Sequence, residues 1–166
     1  MKSKILSVLT LLALLATFVR ATPDAFAEDA PLAIVFDVSG SMNENDSSGT
    51  VKLATAKAAM KDLVQSRRGQ RVGLWTYPGE GNQVDNCQTG GWVRGLSPSD
   101  NSDVTDVTAE IQMLTANGGT PTGPALKAAA DSLRAAGYGT ATIVLVSDGK
   151  SNCGTPPCEV AKSIQY

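Results

Sequence analysis

The 166-residue chain contains no histidine. That absence removes the Ser-His-Asp triad, the Cys-His pair and the HExxH zinc site together, along with the usual proton shuttle near neutral pH. Basic excess is also missing. The net charge is -2, and Lys and Arg are scattered except for a small cluster at Arg67, Arg68 and Arg71 that reads as a solvated helix end. No nucleic-acid surface is expected from that pattern. The length leaves no room for two ordinary domains. What remains is an ordinary globular balance, 42% hydrophobic and 18% charged. Any chemistry must therefore rest on carboxylates, hydroxyls, amines, thiols or a metal.

The one long apolar run is at the start. Lys2 and Lys4 precede Ile5 to Val19, Arg20 closes the run, and Ala25-Phe26-Ala27 follows as a small-x-small pattern. The run is short for a membrane span and fits a secretory signal, here assigned to residues 1–27. Val19-Arg20-Ala21 is a second possible cleavage pattern. Cleavage after Ala27 leaves residues 28–166 as one domain with 11 basic and 15 acidic residues. The mature protein is expected to be secreted, periplasmic or on the cell surface, with no membrane span. Export permits disulfides. Cys153 and Cys158 flank the turn-rich "GTPP" and are the expected pair, although spacing alone does not fix connectivity. Cys87 is left unassigned. A zinc half-site at the same two cysteines is disfavoured because no other ligands lie at hand.

Apolar patterning then sets the fold. "PLAIVFDV" and "TATIVLVSDG" are continuous apolar runs that each stop at an aspartate, as strands buried on both faces do. "RVGLWTY" is a further strand and "GWVRGL" a short one suited to a sheet edge. Between them, Leu53, Ala56, Met60, Leu63 and Val64 recur with helical spacing, as do Val104, Val107, Ile111 and Leu114, and then Leu126, Ala129, Ala130 and Leu133. Thr122 is the expected N-cap of the last of these helices. "CEVAKSIQY" reads as the start of another. Strands alternating with helices predict an α/β fold of three layers with a mainly parallel sheet. Ligands of such folds bind beyond the carboxyl ends of the strands.

That rule selects three loops. They carry Asp37, Ser39 and Ser41, then Thr120, then Asp148. All five side chains offer oxygen and none offers nitrogen or sulfur, which suits a hard divalent cation: Mg²⁺ first, with Mn²⁺ or Ca²⁺ as alternatives. Two carboxylates balance the ion's charge and three hydroxyls coordinate without adding to it. Gly40 is expected to let the chain turn so that both serines face the ion. Singly, each residue has a plainer reading as a turn former or cap. Trp75, Tyr77 and Trp92 read as packing, and Glu44, Asp46 and Glu80 as solvated loop residues.

The set resembles the von Willebrand factor type A domain with its metal-ion-dependent adhesion site. The first motif, D-x-S-x-S, is Asp37-Val38-Ser39-Gly40-Ser41. The second is Thr120 in Gly118-Gly119-Thr120-Pro121-Thr122-Gly123, and the third is Ser147-Asp148-Gly149. The resemblance implies hydroxyl ligands at Ser39, Ser41 and Thr120, and carboxylate ligands at Asp37 and Asp148, direct or through water. It implies a non-catalytic module that grips a Glu or Asp of a protein partner through the ion. Family members usually continue with further strand–helix units, so the domain is expected to be incomplete at its C-terminal end, with the 140–146 strand at an exposed edge. Two rivals stand against this reading. One is a Mg²⁺-dependent phosphatase using Asp37 as nucleophile, which lacks the acid expected at Ser39. The other is a scaffold that binds no metal.

Overall fold

Leu32–Asp37 is buried along its whole length and forms β1 at the centre of the sheet. The computed structural model describes residues 30–79, 87–96, 101–149 and 151–164; the expected signal segment and Glu80 lie outside them. Parallel neighbours flank β1 on both sides, β2 (Val72–Tyr77) and β4 (Thr142–Val146), and β3 (Gly91–Arg94) adds antiparallel to β2. The order β3-β2-β1-β4 gives a mixed, mainly parallel sheet. Four helices accompany it among the described residues: α1 (Lys52–Ser66), α2 (Asn101–Met113), α3 (Thr122–Ala135) and α4 (Pro157–Ile164).

Strand alternation sends side chains to two separate cores. Leu32, Ile34, Phe36, Val72 and Leu74 meet Leu53 and Val64 of α1 and Val104, Val107 and Ile111 of α2 on one face. Val35, Trp75 and Tyr77 meet Ala125 and Ala129 of α3 on the other. The first two expected stripes therefore pack on the sheet; of the third, Ala129 meets the sheet while Leu126, Ala130 and Leu133 are buried along the groove that α3 forms with β4 and α4, and the three-layer α/β architecture is observed. The tryptophans pack edge to face, 5.3 Å between centroids. Thr122 is not the cap of α3. The cap is Pro121, and Thr122 is the first helical residue, buried, with no hydrogen-bond partner for its hydroxyl.

β4 has one strand neighbour among the described residues and stands at the sheet edge, with Leu145 36% exposed. Between it, α3 and α4 lies a groove of about 590 Å³ lined by Leu126, Leu133, Ile143, Leu145 and Ile164 among others. No helix of the described residues is long and apolar enough to cross a membrane.

The disulfide differs from expectation. Cys87 pairs with Cys153, and Cys158 is a free, exposed thiol. Pro157 starts α4 and carries Cys158 away on its first turn, while the Ser151 hydroxyl holds the Cys153 carbonyl at 2.7 Å in the loop. That leaves Cys153 beside the segment 87–90 that leads into β3, which the Trp75 indole N–H anchors through the Thr89 carbonyl at 2.8 Å.

Candidate metal centre

Two of the three loops leave the carboxyl end of the sheet, after β1 and after β4, while the third, 114–121, joins α2 to α3; main-chain hydrogen bonds lace them together. The Val38 N–H donates to the Tyr77 carbonyl at 2.7 Å, ending β1 against β2. The Gly40 N–H then reaches the Gly118 carbonyl at 2.9 Å, and the Asn117 N–H returns to the Val38 carbonyl at 2.7 Å. The Thr120 N–H donates to the Asn152 side-chain oxygen at 2.8 Å, and the Asn152 N–H donates to the Thr120 carbonyl at 3.1 Å. Gly40 does not adopt a left-handed conformation, and a Cβ there would meet the Gly118 carbonyl at an ordinary 3.5 Å. The turn into the single 3-10 turn at Gly40–Asn43 therefore does not depend on glycine's freedom.

Side chains converge along this lacing. The Ser39 and Ser41 hydroxyls lie 3.1 Å apart, and the Ser41 hydroxyl donates to Asp148 Oδ1 at 3.0 Å. Asp37 Oδ1 accepts the Ser39 N–H at 2.8 Å, and Asp37 Oδ2 accepts the Ser147 hydroxyl at 2.7 Å and the Tyr77 hydroxyl at 3.3 Å. Asp37 and Ser39 are fully buried and Thr120 nearly so. Four of the five expected residues, Asp37, Ser39, Ser41 and Asp148, thus form one connected cluster. Thr120 joins it through its loop, whose backbone bonds fix its position. Among the described residues no three His, Cys, Asp or Glu side chains cluster, so the donor set depends on hydroxyls.

The electrostatics of the two carboxylates differ. Burial pushes the Asp37 carboxyl above the usual carboxylate range, and the nearby Asp148 charge adds to the rise. Hydrogen bonds from Ser39 and Ser147 oppose it without cancelling it. All of the donors to Asp37 given above are neutral. Asp148 instead has a cation: Lys52 Nζ lies 2.7 Å from its Oδ2 and 2.8 Å from Glu44 Oε2. The Asp148 and Glu44 carboxylates raise the Lys52 pKa to about 12. Burial, and then the Asp37 charge, push the Tyr77 phenol up as well.

Three residues at this site escape sequence reasoning. Tyr77 reads as packing, yet the β1–β2 register places it directly opposite Asp37. Ser147 reads only as the neighbour of Asp148. Lys52 reads as a lysine off the apolar face of its helix, and no periodicity points it at Asp148. Glu44 and Asp46 both lie in loops, as expected. Glu44 pairs with Lys52, and Asp46 holds its own turn through the Ser48 and Thr50 N–H groups.

A sequence model of the von Willebrand factor type A domain matches residues 32–150. No curated protein sequence matches the chain significantly. Among solved structures, the von Willebrand factor domain of the type V pili tip protein Mfa5 from Porphyromonas gingivalis is similar at 22% identity and TM-score 0.55, covering 76% of this chain and 42% of that one. The pilus adhesin SpaC from Lactobacillus rhamnosus GG is similar at 20% identity and TM-score 0.57, covering 74% and 16%. An aerotolerance-related membrane protein from Bacteroides fragilis is similar at 23% identity and TM-score 0.60, covering 81% and 61%. The chain thus spans from about a sixth to about three fifths of these proteins' lengths.

Proposed function

Because the chain belongs to the von Willebrand factor type A domain family, we propose that it is an exported binding module which engages an acidic group of a protein partner through a divalent cation. The observation that carries this is the all-oxygen cluster at the strand ends, with a buried Asp37 whose hydrogen-bond donors are neutral. A buried carboxylate is costly without a positive partner, and a divalent ion would supply one. The fit extends to spacing. Neighbouring ligands of an octahedral Mg²⁺ at about 2.0–2.1 Å lie about 2.9 Å from each other, and equatorial neighbours about a seven-coordinate Ca²⁺ lie about as close. The Ser39–Ser41 and Ser41–Asp148 oxygens are 3.1 and 3.0 Å apart. Those separations admit Mg²⁺, Mn²⁺ or Ca²⁺, as the all-oxygen donor set does.

In this reading Ser39, Ser41 and Thr120 would hold the ion with their hydroxyls, and Asp37 and Asp148 with their carboxylates, directly or through water. Bound there, the ion would act as a Lewis acid toward an external carboxylate. The orientation of Asp37 supports this reading: the Ser39 N–H, Ser147 and Tyr77 hold both its oxygens in place. The same burial disfavours the phosphatase reading. A nucleophile must approach phosphorus, and Asp37 has no exposed surface. Pilus and membrane proteins among the structural neighbours agree with an exported module.

The test is thermal melting and calorimetric titration with Mg²⁺ and Mn²⁺. A melting temperature that rises with either ion, returns on chelation and responds less in Ser41→Ala is the expected result. Protein whose melting ignores both ions would instead be the scaffold of the rival reading. Partner chemistry is tested on the Mn²⁺-loaded protein with a short peptide carrying one central glutamate against its glutamine counterpart. Equal binding of the two would sink the acidic-group reading.

A further inference from the structure

Lys52 occupies a position that helix physics does not favour. It is the first residue of α1, where unsatisfied N–H groups and the macrodipole present positive charge and attract anions rather than cations. No acidic side chain lies in that first turn to offset it. The placement is explained instead by what the ammonium reaches. Nζ is 2.7 Å from Asp148 Oδ2, 2.8 Å from Glu44 Oε2 and 3.5 Å from the Ser41 carbonyl. Its backbone N–H is fixed by the Glu44 carbonyl at 2.9 Å, which holds the stem of the side chain beside the cluster. Asp148 is then fully engaged, with Ser41 on one oxygen and Lys52 on the other.

The two carboxylates that hold Lys52 differ in surroundings. The Asp148 side chain is 8% exposed, and Glu44's is 68% exposed. A cation entering the cluster meets the ammonium at Asp148, and two positive charges on one buried carboxylate repel. Glu44 offers the ammonium a solvated place within reach of the same flexible stem.

We propose that Lys52 is a tethered cation that holds Asp148 when no ion is bound and must withdraw toward Glu44 when a divalent ion binds, so that it sets the affinity of the site. The proposal rests on the metal reading above. It requires no proton transfer, only the exchange of one cation for another on Asp148.

The experiment compares Mn²⁺ dissociation constants, by calorimetry, of the wild type with Lys52→Met, Lys52→Gln, Glu44→Gln and Lys57→Met. Lys57 donates to the Gln112 carbonyl away from the cluster and controls for the general loss of a positive charge. Both Lys52 variants are expected to bind at least tenfold more tightly, Glu44→Gln a few-fold more weakly, and Lys57→Met within twofold of the wild type. A second readout is the ¹⁵N signal of the Lys52 ammonium, which is expected to shift on Mn²⁺-free Mg²⁺ addition in the wild type. If the wild type binds ion and the Lys52 variants bind it equally, the inference falls while the metal reading stands. If folded Lys52 variants lose binding, Lys52 assists the ion and the inference is wrong. If neither wild type nor variants bind, both readings fail together.

Discussion

Replacing Asp37 with asparagine should stabilise the ion-free protein. Removing a carboxylate from water costs an effective several kcal/mol. Hydrogen bonds to a charged acceptor return about 1.5–3 kcal/mol each, and the longest of Asp37's three, the 3.3 Å contact with Tyr77, returns least. The upward direction of its pKa shows that burial outweighs them. Asparagine keeps the acceptor for the Ser39 N–H, and its amide can donate to the Ser147 and Tyr77 hydroxyls, which both accept. A gain of about 1–2 kcal/mol near pH 7.5 follows, or roughly 3–8 °C in melting temperature. The sign also fixes the pH dependence. A carboxyl whose folded pKa lies above its unfolded value contributes stability that is fully present below the ordinary value of 3.8 and is lost as pH rises through the raised one. The asparagine protein lacks that slope. Other carboxyls, such as Asp46 and Asp131, are lowered and act in the opposite sense. The measurement is therefore the difference in chemical-denaturation stability between the two proteins, in EDTA, from pH 4 to pH 9. Asp37→Asn should gain on the wild type as pH rises. With Mg²⁺ at a hundredfold excess over its dissociation constant the order should reverse, since such a ligand adds about 2.7 kcal/mol to the wild type. An Asp37→Asn protein that is folded yet less stable than wild type in EDTA at pH 8 would refute the reasoning.

Other outcomes follow from the loops. Cys87→Ser opens a bridge between residues 66 apart in sequence and should cost up to about 4 kcal/mol, read as a lower urea midpoint matched by the reduced wild type. Cys158→Ser should leave that midpoint unchanged, and Cys158 alone should take up a maleimide without reductant. Gly123→Ala drives a Cβ into the Thr155 carbonyl and should destabilise by about 1–3 kcal/mol, because backbone rather than a flexible side chain must move.

Much of this architecture is legible from residue order. β1 announces itself as an apolar run because a parallel strand covered on both faces has no polar side to alternate with. β4 carries the same pattern, but none of its residues is buried at the sheet edge, so the expectation of burial on both faces holds for β1 alone. Val104, Val107 and Ile111 mark α2 because each must face the same sheet. The D-x-S-x-S segment is legible because its oxygens are local. What sequence hides is whatever depends on packing between distant segments. The disulfide is one case: "GTPP" suggests a tight link between Cys153 and Cys158, but the start of α4 at Pro157 separates them. Tyr77 is another, since its hydroxyl meets Asp37 only through the register of β1 and β2. Lys52 is a third: the helical pattern assigns it to solvent, and only the approach of the Asp148 loop brings it to the cluster, beside its pairing with Glu44.

The span of the cluster's bonds has a kinetic meaning. Ser41 bonds Asp148 across 107 residues, and Ser147 bonds Asp37 across 110. The pairing of β1 with β4 closes a loop of the same length, and once it has formed these contacts cost little further loop entropy, so they are expected to follow it. Contacts absent from the folding transition state govern how fast a protein comes apart, not how fast it assembles. Ser41→Ala should therefore raise the unfolding rate, lifting that arm of a chevron plot, while leaving the refolding arm in place. The strand-end cluster is a latch on a finished fold, and its strength would be read as lifetime.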